Sequence, residues 1–233
     1  MYTDILIDFD DTLYDTYGNA SLSLAELFDH FHLSNHFDTL EDFTTPYWST
    51  NIDLWTRYSK GEITRDYLIL ERFRRPLSLG RDLNPTPEYC LQVSDVFLSL
   101  CSEKPGTVSG AHKLMQYLKA KGYRLHMASN GFHEVQFKKL RASKMYDYFD
   151  TIILSDEAGA TKPSPQFFRF AMERAATTPD RSIMIGDNVN TDIAGAHDFA
   201  IDQIWFNPYR QEQPTSFTPT HTVAKLHDIM KIL

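Results

Sequence analysis

The spacing of apolar positions along the 233-residue chain changes twice, and each change marks a change of architecture. Ile5-Leu6-Ile7 is a short apolar run bounded by polar residues, the pattern of a strand buried on both faces of a parallel sheet. Spacing then turns helical. Leu24, Leu27, Phe28 and Phe31 predict a helix over residues 21–31. A second amphipathic stretch, residues 39–58, carries Phe43, Tyr47, Trp48, Ile52 and Trp55. Trp48, Ile52 and Trp55 lie at i, i+4 and i+7, which predicts a packed stripe rather than a stacking platform for a base. Gly61 reads as a helix terminator and Thr64 as the next N-cap, so a third helix is expected over 65–75. After Asn84-Pro85-Thr86-Pro87 the helical pattern resumes over 88–101. No strand signal falls between Asp15 and Pro105.

Beyond Pro105-Gly106 the pattern alternates. Helices are expected over 109–120, 134–142, from Ser164-Pro165 onward, and over 191–197. Strands are expected over 124–128, 151–154, 182–185 and 203–206. Residues 211–222 read as loop, followed by a short final helix. Alternation of this kind implies right-handed crossovers and an α/β fold with a Rossmann-like, doubly wound parallel sheet. The helical block interrupts that series just after its first strand. The expected organisation is therefore a sheet domain built from residues 1–15 and 91–233, with a helical domain, 16–90, inserted into it.

Composition narrows the partners. A formal charge of −8 argues against nucleic acid or an anionic membrane surface. It leaves room for a small anionic substrate, because a local cation can overrule the global sign. The two cysteines, Cys90 and Cys101, suit reduced thiols and a cytoplasmic setting. The start of the chain lacks a basic leader, and no apolar run approaches membrane length. A monomer or weak homo-oligomer without nucleic-acid or membrane partners is the expectation.

Ligands of open α/β sheets sit beyond the carboxyl ends of the strands. Asp8, Asp10 and Thr12 follow the first strand, and alternation puts Asp8 and Asp10 on the same side. Two such charges in partly buried surroundings need a cation or a shared proton, unless the segment is only an Asp-rich surface turn. Ser129, Asn130 and Gly131 follow the strand at 124–128; Gly186, Asp187 and Asn188 follow that at 182–185, with Asp192 a turn later. Lys162 precedes the helix that opens at Ser164. Carboxylates from two strand ends suit Mg²⁺, a hard ion that takes few protein oxygens and completes its shell with water and phosphate. With such an ion and Lys162 to offset charge, Asp8 can attack phosphorus while Ser129 donates to a phosphoryl oxygen and Asp10 moves protons. Each residue also has a plainer reading: Ser129 as a helix cap, Lys162 as a solvated lysine, Thr12 as a partner of backbone or Asp8. Asp11 alternates away from the other two carboxylates. The histidines show no metal-ligand spacing, Asn188 and Asn190 read as loop-shaping residues, and Tyr14, Tyr17, Tyr47 and Tyr58 are looser candidates for lining a cleft.

In order along the chain, Asp8-x-Asp10-x-Thr12, Ser129-Asn130-Gly131, Lys162-Pro163 and Gly186-Asp187-x-x-x-x-Asp192 resemble the four motifs of the haloacid dehalogenase-like hydrolase superfamily. The helical insertion resembles its type 1 cap. That resemblance spans essentially the whole chain. It implies Asp8 as nucleophile and Mg²⁺ ligand, Asp10 as acid/base and carbonyl ligand, and Asp187 as a further ligand. It also implies Ser129, Asn130 and Lys162 at the phosphate, with Asp192 and Thr12 as orienting groups. The expected activity is Mg²⁺-dependent hydrolysis of a small phosphomonoester through an aspartyl-phosphate. The motifs are similar to those of bacterial 5′-nucleotidases that act on pyrimidine nucleoside monophosphates. The alternatives are a 2-haloacid dehalogenase, which would not need an acid at Asp10, a phosphosugar mutase, and a non-catalytic binding protein on the same fold.

Overall fold

The computed structural model describes residues Met1–Leu233. In chain order its principal elements are β1 (Asp4–Ile7), α1 (Thr16–His30), α2 (Leu40–Ser59), α3 (Arg65–Leu77), α4 (Pro87–Glu103) and α5 (Ala111–Ala120). There follow β2 (Arg124–Ser129), α6 (His133–Ala142), β3 (Thr151–Leu154), α7 (Ser155–Ala158), α8 (Pro165–Ala175) and β4 (Ser182–Gly186). The chain closes with α9 (Ala194–Asp198), β5 (Asp202–Phe206), β6 (His221–Val223) and α10 (Leu226–Ile229). It divides into two compact units, Met1–Thr16 with Pro105–Leu233, and Tyr17–Lys104.

The first unit is built on six strands in the order β3-β2-β1-β4-β5-β6, each pair parallel. Alternation along β1 explains the layers. Ile5 and Ile7 join Leu114, Leu118 and Leu125 on one face, while Leu6 joins Phe167, Phe168 and Met184 on the other. Both faces are covered, so β1 is buried along its whole length. Its central place is what puts the residues after Ile7 beside the ends of β2 and β4, where the strand order reverses. The sixth strand departs from the expected loop at 211–222. His221–Val223 pairs with Ile204–Phe206 at the sheet edge, and three residues are too few to register as an alternating pattern. The expected helix at 191–197 also differs: a π turn over Val189–Ile193 leads into α9.

The second unit is a helical bundle. Thr39, Thr64 and Thr86 each accept a backbone N–H at a helix start, a cap contributing about 1 kcal/mol. Leu24, Leu27, Phe43, Tyr47, Phe73, Leu77, Cys90, Val93 and Phe97 form its core. Cys90, Val93 and Phe97 come from α4, so this unit extends to Lys104 rather than ending at residue 90. Helical periodicity identified α4 but could not assign it to one core or the other. The expected Trp48, Ile52, Trp55 stripe is corrected as well. Ile52 is 65% exposed, and α2 buries Phe43, Tyr47 and Leu54 instead. Both cysteines are free and buried. No helix is long and apolar enough to cross a membrane.

Candidate active site

The segment after β1 turns back on itself at once. Phe9 O accepts from both Leu13 N and Tyr14 N, and Asp11 adopts the left-handed region, φ 59°. Strand alternation therefore ends at Asp11, which is exposed, while Asp8 is buried. The Asp8 N–H donates to Ile185 O at 2.8 Å, tying this turn to β4.

At the end of β4 two acids follow. One oxygen of Asp8, Asp187 and Asp192 each lies within 4.8 Å of the others. Thr12 locks the pair of strand ends: its hydroxyl donates to Asp187 Oδ1 at 3.0 Å and accepts from Asp187 N at 3.0 Å. Its partner is thus Asp187 rather than Asp8. The indole of Trp205 on β5 donates to Asp187 O at 2.9 Å. Asp192 reaches back because the π turn carries it under Gly186, where a Cβ would stand 2.4 Å from Asp192 Oδ2. Its Oδ2 accepts from Asn188 N at 3.1 Å, and the Asn188 side chain accepts from Asn190 N and Thr191 N, a loop-shaping contact.

Lys162, 1% exposed, supplies the balancing cation. Its ammonium meets Asp8 Oδ1 at 2.6 Å, Asp192 Oδ1 at 2.7 Å and Ala128 O at 2.6 Å, which satisfies all its donors. Burial opposes the charge, but Asp192 and Asp8 outweigh it and hold Lys162 above its ordinary value. One ammonium does not balance three acids. Burial pushes Asp8 up to about 8, Lys162 pulling it down and Asp192 and Asp10 raising it further. Burial, Asp8 and Asp192 likewise raise Asp187 well above the usual carboxylate range.

Asn130 serves the lysine. Its Oδ1 accepts from Lys162 N at 2.7 Å and its Nδ2 donates to Lys162 O at 2.9 Å. The amide expected at a phosphate is thus a strut between the end of β2 and the Lys162 loop. Ser129 Oγ accepts from Gly131 N and from Gln136 Nε2, both at 3.0 Å. With those acceptor positions filled, its proton is available to donate.

Asp10 stands outside the group of three carboxylates. Lys139 Nζ and Thr16 Oγ1 meet its Oδ1 at 2.5 and 2.6 Å, and Gln136 Nε2 meets its Oδ2 at 2.5 Å. Burial would raise this carboxyl, but the Lys139 charge and these three donors hold it below its ordinary value. Gln136 and Lys139 escaped sequence reasoning. Their signal was only a polar pair three residues apart on a helix that follows a Ser-Asn-Gly strand end.

Two buried carboxylates and a half-buried one, carrying more negative charge than the adjacent ammonium offsets, fit a hard divalent cation such as Mg²⁺. Asp8, Asp187 and Asp192 are the side chains that converge. Asp10 offers its carboxylate elsewhere, to Lys139 and Gln136.

A parallel sheet carrying acids from two adjacent strand ends at its switch point defines a Rossmann-like α/β enzyme. The chain belongs to the haloacid dehalogenase-like hydrolases, whose family model matches residues 5–199. It is 31% identical to the pyrimidine 5′-nucleotidase YjjG of Escherichia coli K12 over 98% of this chain and 96% of that protein. It is 28% identical to the pyrimidine 5′-nucleotidase PynA of Streptococcus pneumoniae R6, over 100% and 95% of the two chains. Among solved structures it resembles the HAD-hydrolase YfnB of Bacillus subtilis, described as bound to magnesium. That likeness has a TM-score of 0.86 and 26% identity and covers 100% of this chain and 98% of YfnB.

Proposed function

We propose that this protein is a phosphatase that hydrolyses a small phosphomonoester with the help of a divalent cation, by way of an aspartyl-phosphate on Asp8. The observation that carries this reading is the meeting of Asp8, Asp187 and Asp192 with one buried lysine paired to only two of them, a charge excess that calls for a cation. The relatives named as nucleotidases support phosphomonoester hydrolysis and make nucleoside 5′-monophosphates of pyrimidines the first substrates to try.

Asp8 and Asp187 would hold Mg²⁺, with the Asp10 carbonyl as a further ligand and Asp192 as an orienting group. The ion, when bound, supplies positive charge that lets a phosphate dianion approach a carboxylate. Lys162 holds Asp8 Oδ1 and leaves Oδ2 to attack phosphorus in line. As that P–O bond forms, the ester P–O bond breaks and its electron pair goes to the leaving oxygen. Asp10 gives that oxygen a proton. Lys139 keeps Asp10 ionised at rest; the incoming dianion pushes the other way and favours proton uptake as the ester binds. In the second half, Asp10 takes a proton from water, which attacks phosphorus, breaks the bond to Asp8 and releases inorganic phosphate. Ser129 donates its hydroxyl to a phosphoryl oxygen. Asn130, its side chain committed to Lys162, contributes through its main chain.

The test is a screen of phosphorylated metabolites scored by released phosphate, with and without chelator. Turnover of small monoesters that collapses in EDTA and returns with Mg²⁺ is expected. Undiminished turnover in EDTA, or halide released from a 2-haloacid in place of phosphate, refutes the reading.

A further inference from the structure

If Asp10 is to protonate a leaving oxygen, its carboxyl group has to be held still. The group lies on a tight turn beyond the end of β1, with two side-chain torsions free to swing. A misplacement of about 1 Å in such a group costs on the order of 10²-fold in rate. The restraint comes from α6. Gln136 and Lys139 are three residues apart and so share one face of that helix. Gln136 is fully buried and Lys139 is 8% exposed.

Gln136 carries the more telling geometry. Its amide nitrogen donates both to Asp10 Oδ2 and to Ser129 Oγ, so one NH₂ group ties two candidate functional side chains together. Its own Oε1 is buried and has no hydrogen-bond partner. An orphaned buried acceptor is costly, and turning the amide over would set that oxygen against the Asp10 carboxylate. The orientation is thus fixed by what the nitrogen must do. The backbone makes way for it: a Cβ on Gly131 would lie 1.7 Å from Gln136 Nε2. Lys139 completes the hold on Oδ1, its ammonium 5.1 Å from the centre of the Tyr14 ring.

We propose that Gln136 and Lys139 are positioning residues, which hold the Asp10 carboxyl group and the Ser129 hydroxyl as one rigid unit aimed at the two ends of the scissile bond. This rests on the phosphatase reading above. Lys139 pins one oxygen, and Gln136 sets the distance between the proton-transferring group and the phosphate-contacting one.

The experiment compares kcat/KM for two esters, an alkyl phosphate that the wild type hydrolyses and p-nitrophenyl phosphate. The nitrophenolate leaves without a proton, and kcat/KM does not include the later hydrolysis of the enzyme-bound phosphate. Gln136→Leu removes the orphaned acceptor and is expected to stay folded. Lys139→Met removes the cation, and Lys139→Arg restores one. For Gln136→Leu and Lys139→Met, kcat/KM on the alkyl ester should fall about 10²-fold, the usual scale of general acid catalysis. On the aryl ester Lys139→Met should cost less than about 3-fold, and Gln136→Leu, which also frees the Ser129 hydroxyl, should cost clearly less than on the alkyl ester. Lys139→Arg should recover most of the alkyl activity. Equal losses on both esters, or none on either, overturn the inference while the phosphatase reading stands. A wild type that releases phosphate from no phosphomonoester overturns both.

Discussion

Replacing Asp8 by Asn should abolish turnover and at the same time stabilise the protein at neutral pH. The carboxyl group ordinarily titrates near 3.8, and in the folded chain burial and its acidic neighbours push it up to about 8. Below pH 3.8 both folded and unfolded chains hold the proton, so nothing is lost. Above it the unfolded chain releases the proton and the folded chain keeps it until about pH 8, so stability falls as pH rises through that window. Each pH unit is equivalent to about 1.4 kcal/mol, which makes the penalty at pH 7 at most about 4 kcal/mol. Asp187, raised by burial and then by Asp8 and Asp192, is relieved in part when Asp8 loses its charge. The Asn oxygen can still accept from Lys162, so the lysine keeps its partner. For a chain of this size the gain converts to a rise of about 8–16 °C in Tm. The measurement is urea unfolding in EDTA at pH 5 to 8. Trp48→Phe and Trp55→Phe in both proteins make Trp205 the reporter, so that one unit is followed alone. Asp8→Asn should gain on its parent steadily as pH rises through this range. An Asn variant no more stable than its parent at pH 7, or with the parent's pH slope, refutes the electrostatic account of the site.

Two further outcomes test neighbouring parts of the structure. Lys162→Met leaves Asp8 and Asp192 without their shared cation, so in EDTA it should lose about 3–5 kcal/mol, with Mg²⁺ recovering part of the loss. Unchanged unfolding in chelator would show that the lysine is not balancing those charges. At the other end of β1, His126 is 1% exposed and bonds Asp4 at 2.9 Å. Burial holds this imidazole below its ordinary value of 6.5, with Asp4 opposing. The unfolded chain therefore binds the proton first, and stability should drop as pH falls below 6.5, by up to about 1.4 kcal/mol per pH unit. In the Asp8→Asn background, relieved of the opposing slope of Asp8, adding His126→Gln should flatten the decline between pH 7 and 5. Equal slopes with and without the histidine contradict this.

Local pattern was enough to specify much of the chain. The short apolar run at Ile5-Leu6-Ile7 read as a strand buried on both sides, and it lies within the sheet between β2 and β4. Thr64 capped a helix as its spacing predicted. The motifs ending β1, β2 and β4 came together because every such strand points the same way. Lys162 met Asp8 although 154 residues separate them. Other features depend on which elements become neighbours, and periodicity within a segment holds no record of that. The helix at 87–103 was plain, but only its packing against Tyr47 and Phe73 assigned it to the helical unit. Three edge residues at His221 became a strand because β5 offered unpaired backbone groups. Asn130 turned to the Lys162 backbone rather than outward, and Asp192 came beneath Gly186 through a π turn. Asp10, legible as an acid from its motif, received its partners Gln136 and Lys139 from 126 and 129 residues away. Sequence determined which groups carry charge and on which elements they lie. Tertiary structure decided which charges face one another, because Coulomb and hydrogen-bond energies depend on separations of a few ångströms that only the order of strands in the sheet sets.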